Sequence, residues 1–589
     1  MNLRALLTRR NIIIALVVLA ALLAVSGYFL LRRPARVEMD RFAPASSLAL
    51  IEVYNLSDLL DGLTGTDAWK KLAPALGVSS QLRQIGLVTD IMSRTGIGPD
   101  EAVIAGRAQY AVALTSLETE TGENEDGPYL HFKPRFCLIV ETHSSSETAA
   151  RVIRERASIL ASRIYGASVV EETEDYSGAR LQIYRGPRPE RQMIAASSGS
   201  LILIANHESA IKSCLDTAAG RAPSLASDNN LKQLRSTVDE DATVFAMVTQ
   251  SGVEKLSELG PAIFASRLTT DPDRINSIAN LFGHLSKQTF AGLLYSLSFD
   301  DGRVLEKYLT ALRPQVADAL SQAVKPAPAA SFGSLRLLPR QVEDFTLLNI
   351  EGAGDLAERT LKHLTPTLDV VAGVALREFV LSLREQLGVE QNDSLAGAVG
   401  SEVALAKFSD QEPTVMLVRV VDKTKVSASV SKYLARGGAT VSAEQYAGVE
   451  IHVSSHKDRR AAAFIDDFVI LGTRDQIARI IDARSNGQNA ATDERFQKAL
   501  THRTNAAAMI SCRPDFQDAG EMMLAISKLT RVTDGSRELL EQTEVKNALN
   551  RLPPAISSTE FRWQGVYTET RSSVGIFSLI ASLIGNDEK

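Results

Sequence analysis

From Ala49 onward the chain alternates between two hydrophobic periods. Runs such as Ala49–Tyr54, Gln109–Leu117 and Phe136–Glu141 read as strands, because successive strand residues face opposite sides of a sheet. Leu56–Ala75 and Ser80–Thr95 read as helical segments. Glu147–Ile164 sets Ala149, Val152, Ile153, Ala157, Leu160 and Ile164 at helical spacing, and Ser144 with Glu147 fits a capping box at its start. A meander runs from Ser168 to Ala205 with a hairpin turn at Ser198-Gly199, and Asn206 stands at the cap of the next helix. A helix near Asp228, a strand, more helix and a hairpin at Asp300-Asp301-Gly302 complete the pattern. Hairpins outnumber crossovers, so the expected fold class is α+β, an antiparallel sheet with helices on one side.

The pattern then recurs. Leu50–Asp58 parallels Leu347–Asp355, and Phe136–Val140 parallels Val415–Arg419. Tyr176–Ile183 parallels Tyr446–Val453, Leu201–Ala205 parallels Phe468–Gly472, and Ala242–Val248 parallels Ala506–Cys512. The matches keep one order, which predicts two tandem copies of one antiparallel-sheet-plus-helices unit, at 42–312 and 335–585. In the second copy Asp422 caps the helix that carries Val426, Val430 and Tyr433, Asp466-Asp467 forms the meander turn, and Thr473 with Gln476 forms a capping box. Residues 313–334 join the copies as a helix and the Pro/Ala stretch Lys325–Ser331, which reads as an extended spacer. Glu118–Arg135 is longer than its counterpart Ser409–Pro413 and is expected at the surface, as a hairpin tip or a binding loop.

Residues 1–36 follow a different rule. Ile12–Leu31 is uncharged and long enough to cross a hydrocarbon core as a helix, and Arg4, Arg9 and Arg10 precede it. The expected arrangement is a single-pass anchor in the inner (cytoplasmic) membrane, with the body in the periplasm or outside the cell. Small residues at Ala24-Val25-Ser26 would suit a cleaved signal peptide, but Tyr28-Phe29-Leu30-Leu31 extends the apolar run beyond them. The uncharged tail Val574–Ile584 is too short to span a bilayer as a helix and is expected to pack on the body.

Charge and chemistry narrow the function little. The net charge of -6 is spread along the chain without a basic stripe, so no nucleic-acid partner is expected. The three Cys match apolar residues of the sister copy (Cys137 with Met416, Cys214 with Ile481, Cys512 with Val248) and read as buried thiols. None of the eight His has a His counterpart, and His452 with His456 falls on a strand end rather than a helix. The cluster Glu171, Glu172, Glu174 and Asp175 lacks the spacing of a calcium loop and reads as a solvated turn. Gly96-Ile97-Gly98 reads as a helix C-cap and turn rather than a dinucleotide loop, since a helix precedes it. Asp58, Asp355, Asp228 and Asp493 read as helix caps. No catalytic residue, metal site or cofactor site is identified.

The anchor, the strand Leu48-Ala-Leu-Ile-Glu-Val following Pro44-Ala-Ser-Ser, and the long α+β body resemble an uncharacterised bacterial domain-of-unknown-function family of membrane-anchored envelope proteins. The resemblance implies no activity and no functional residues. The expected function is that of a non-catalytic binding or structural envelope protein with a protein, polymer or lipid partner. Two alternatives stay open: an extracytoplasmic hydrolase, and a lipid-handling carrier with a large apolar cavity.

Overall fold

The computed structural model describes residues 35–76, 84, 88, 99–124, 127–166, 168–188, 191–238, 242–268, 272–328, 332–386, 395–409, 411–456, 459–504, 506–529 and 537–579. The expected span Ile12–Leu31, most of Ser80–Thr95 and Gly96-Ile97-Gly98 lie outside them. No helix of the described residues is long and apolar enough to cross a membrane. The described chain divides into two compact units. The first draws on residues up to Thr64, Ser80–Lys232 and Thr243–Ala246; the second draws on Gly65–Ser79, Gln233–Ala242 and everything from Met247.

In the first unit the strands are β1 (Ala49–Val53), β2 (Gln109–Asn124), β3 (Gly127–Glu141), β4 (Val170–Tyr176), β5 (Ala179–Arg185), β6 (Gln192–Ser198) and β7 (Leu201–Ala205). They pair antiparallel in the order β1-β2-β3-β7-β6-β5-β4. β8 (Val244–Val248) pairs with β1. The second unit adds β9 (Phe290–Asp300), β10 (Arg303–Leu312), β11 (Asp344–Asn349), β12 (Val399–Lys407), β13 (Val415–Val420) and β14 (Val441–Tyr446). It continues with β15 (Val449–Ser454), β16 (Arg460–Ile465), β17 (Phe468–Thr473), β18 (Met509–Arg513), β19 (Ala555–Arg562) and β20 (Gly565–Ser572). These form one antiparallel run, β9-β10-β20-β19-β18-β11-β12-β13-β17-β16-β15-β14. The α+β class holds, and the pairing order of β11 to β17 is that of β1 to β7.

One expectation is corrected. Helices cover both faces of the sheet, not one. In the second unit, helix Arg474–Asn486 buries Ile477, Ile480 and Ile481 against Leu417, Ile451 and Ile470. Helix Lys423–Ala435 buries Val426, Val430 and Leu434 on the opposite face, against Ala462 and Val469. Strands covered on both faces need no polar side, which is why β6, β7, β16 and β17 are nearly continuous apolar runs.

Turns and caps follow from the local sequence. Ser177-Gly178 and Ala447-Gly448 carry φ of 51° and 82°, and 47° and 81°, so each β-hairpin turns through the left-handed region and puts glycine second. The capping box of Thr473 and Gln476 is present. Four caps differ from the sequence reading. Ser145, not Ser144, accepts from Thr148 N at 3.2 Å. His207 caps its helix through Ser209 N (3.1 Å), while Asn206 turns to Phe136 N (2.9 Å) and Pro134 O (2.7 Å). Asn55 rather than Asp58 accepts from Ser57 N at 2.8 Å. Asp228 and Asp493 do cap, through Asn230 N and Arg495 N, each at 2.9 Å, whereas Asp355 makes no side-chain cap bond.

The connecting segments are also tied down. Lys325–Ser331 is no free spacer at its start: Ala327 exchanges hydrogen bonds with Asn349 (3.0 Å from its N, 2.9 Å to its O). Glu118–Arg135 lengthens β2 and β3, with Glu118 and Glu120 ion-paired to Arg135 and Lys133 at 2.6 Å each. The start of the C-terminal tail packs on the second unit. Val574 is buried, Ile576 N donates to Glu306 (3.0 Å), and Phe577 stacks on Phe299 at 6.4 Å.

Candidate functional site

The second unit holds a pocket of about 250 Å³ between the sheet and helix Lys423–Ala435. Register sets its sheet wall: Val403 pairs with Val418 and Val418 with Val469, a cross-strand row of three valines on one face. The helix contributes Val426, Val430 and Tyr433, because residues three and four apart share a helix face. Charge enters at Arg384 and Glu358, where Arg384 Nη1 stands 3.5 Å from Glu358 Oε1.

In the first unit the corresponding row is Tyr110, Val140 and Ile202. Those side chains pack with Ile104 and Ile153 into one cluster, and the Tyr110 hydroxyl donates to Ala105 O at 3.3 Å. The architecture therefore accepts a large side chain at this position, and the second unit leaves the space open.

A wider groove of about 510 Å³ lies between helices Gln250–Leu268 and Pro272–Thr289 and the β9–β10 hairpin. Leu256, Phe282 and Leu293 line it and remain 45%, 41% and 38% exposed, so it presents apolar surface to solvent.

Buried polar groups gather where β10 meets β20. Glu306 accepts from Tyr295 OH (2.8 Å), Tyr308 OH (3.0 Å) and Ile576 N (3.0 Å), and burial raises its pKa. Arg303 donates to Pro554 O (2.6 Å) and Arg571 O (2.9 Å), and burial lowers its pKa. Asp515 accepts from Ser573 N; its pKa too is raised by burial, and its Oδ1 has no hydrogen-bond partner. The donors around Glu306 come from the sheet and the tail, so its chemistry is that of a fastening: it holds the C-terminal segment to β10.

The residues weighed in the sequence fall elsewhere. Cys137, Cys214 and Cys512 are buried and unbridged. The facing Cys214 thiol and burial push Cys137 well above the usual thiol range, and burial raises Cys512 to about 12. His452 lies on β15, 3.9 Å from Glu450, and among the described residues no group of three or more His, Cys, Asp or Glu is placed to hold a metal ion. The acidic cluster is on strand β4 rather than a turn, where Glu172, Glu174 and Asp175 pair with Arg185, Lys212 and Arg180. Tyr176 and Tyr446 do have neighbours: their hydroxyls donate to Asp216 (2.9 Å) and Asp482 (3.1 Å), and Lys212 and Arg474 stand over their rings. Of the pocket's lining the sequence showed only the helix face of Val426, Val430 and Tyr433; Val418 and Val469 fell within matched strands, and nothing singled out Val403.

The pocket's strands and helix Lys423–Ala435 lie inside one of two stretches, 111–280 and 391–512, that match a single family model. In these two stretches the chain is similar to the DUF3352 family. That family is described as a protein of unknown function, so the resemblance to an uncharacterised domain-of-unknown-function family holds. No curated protein and no solved structure matches the chain. The two matched stretches take in most of the strands whose pairing order recurs: most of β2 with β3 to β7, and β12 to β17.

Proposed function

We propose that this is a membrane-anchored, extracytoplasmic binding protein without catalytic activity, whose body takes up apolar ligands. The body is read as a tandem duplication of one α+β unit, over about 42–312 and 335–585, held at the inner membrane by Ile12–Leu31. The duplication is supported by the recurring strand order, by the paired Tyr–Asp contacts of Tyr176 and Tyr446, and by the two family-matched stretches.

The observation that carries the binding reading is the chemistry of the concave surfaces. The pocket of about 250 Å³ and the groove of about 510 Å³ are both walled mainly by aliphatic and aromatic side chains. The test is photolabelling of the full chain in its own membranes with a neutral diazirine-bearing alkane, followed by peptide mapping. Adducts are expected within 42–585. Adducts confined to Ile12–Leu31 would overturn the reading.

A further inference from the structure

We infer that the pocket of the second unit is a binding site for a single acyl chain whose carboxylate head lies at Arg384. The inference rests on the apolar-ligand reading and gives it a place and a ligand class.

Size decides the occupant first. About 250 Å³ is small beside the roughly 300–1,000 Å³ of drug-sized sites, so the pocket takes one narrow chain and not a two-chain lipid. Chemistry agrees, because the row Val403, Val418 and Val469 faces Val426 and Val430 with no charged side chain among them. Polarity then fixes the orientation. The charged lining is Arg384 with Glu358; Arg384 is the one cation among the pocket's described lining residues and Glu358 is 49% exposed, so a carboxylate head competes with Glu358 for the guanidinium.

The comparison between the units makes this a built feature rather than a packing fault. Tyr110 and Ile202 in the first unit stand where Val403 and Val469 stand in the second, and Ile153 of helix Ser146–Tyr165 stands where Val430 stands in helix Lys423–Ala435. Each of these three replacements removes side-chain volume from the same place, and Val426 in the place of Ala149 returns only part of it. An unfilled apolar cavity costs stability in proportion to its size, so three coincident reductions around one space are explained by an occupant.

The same geometry supplies the test. Val403→Tyr puts into the second unit the residue that the first unit already accommodates, and it fills the pocket. The full chain in its membranes is labelled with a diazirine-bearing medium-chain fatty acid, and adducts are mapped by mass spectrometry. Wild-type adducts are expected on the peptides carrying Val399–Val418 or Val426–Tyr433. Val403→Tyr should reduce them by about tenfold or more, since the loss of about 1.4 kcal/mol of binding suffices for that, while adducts in Ile12–Leu31 persist as the internal control. Arg384→Gln should reduce labelling by the fatty acid and leave labelling by the neutral alkane unchanged. Should Val403→Tyr disturb folding, Val430→Ile, the first unit's own residue, gives a smaller loss in the same direction. Undiminished pocket adducts in Val403→Tyr, judged folded by its denaturation midpoint, would overturn the inference. Adducts only around Phe282 and Leu293 would overturn it while leaving the apolar-ligand reading intact, and adducts only in the anchor would remove both.

Discussion

Each thiol of this chain stands where the recurring strand and helix pattern elsewhere buries an apolar residue, but the counterpart differs from the one read in the sequence. The bonds Tyr54 N to Thr243 O (3.1 Å) and Asn349 N to Ala508 O (2.8 Å) occupy the same place in the two units. They set Leu50 against Phe345 rather than Leu347, and Cys512 against the buried Met247 rather than Val248. Strand pairing sets Cys137 against Val415, and the buried helix faces set Cys214 against Ile480. A slip of one residue reverses a strand side chain, and letters alone do not reveal it where both candidates are apolar. Native protein should therefore alkylate slowly at all three thiols and rapidly once unfolded, by mass spectrometry; a stoichiometric Cys137–Cys214 bridge would contradict this. Glu306 gives a pH signature. Burial raises its pKa above the ordinary 4.5, so the folded state keeps a proton that the unfolded chain releases. Stability is then full below about that ordinary value and declines as pH rises through the raised one. Asp515 acts in the same direction. Glu306→Gln should flatten part of this decline in urea midpoints taken across the window, and an unchanged profile would contradict the assignment.

At the scale of elements, period and cap chemistry carried much of the fold. Helix Ser146–Tyr165 buries Ala149, Val152, Ile153 and Ala157 as its spacing requires. Leu160 and Ile164, read on the same stripe, are 39% and 55% exposed, and Ala161 is buried in their place. The buried stripe there advances by four residues, from Ile153 through Ala157 and Ala161 to Tyr165, which packs on the same cluster, so Leu160 and Ile164 stand on its flank. Caps were legible where one oxygen was available, as at Asp422 and Thr473, and misplaced where neighbours competed, as at Ser144-Ser145 and Asn206-His207. Thr473→Ala removes the acceptor for Gln476 N and half of a reciprocal box. It should cost about 1 kcal/mol in urea denaturation; a loss too small to resolve would mean that sheet packing alone holds that helix. Only the helix wall of the pocket, with Val426, Val430 and Tyr433, was legible; the open space was not. A valine that lines a cavity and a valine that fills a core have the same letter, and only the register of β12, β13 and β17 brings three of them into one row.

For the whole molecule, the proposed arrangement is an anchored body whose surfaces face away from the cytoplasm. Arg4, Arg9 and Arg10 before Ile12–Leu31 are balanced by Arg32, Arg33 and Arg36 after it, so the proposed orientation rests on the uncharged span and on the ability of a long body to cross largely regardless of charge. A reporter active only outside the cytoplasm, fused near Ser331, should be active, and activity of a cytoplasmic reporter at that site would reverse the topology. The central claim is that the body carries an apolar ligand. Its most direct measurement is native mass spectrometry of the full chain released gently from its own membranes. The expected spectrum shows a population heavier than the bare polypeptide by one acyl-chain amphiphile, lost in Val403→Tyr. A spectrum of bare polypeptide alone, or of polypeptide carrying a polar solute that Val403→Tyr retains, would contradict the account.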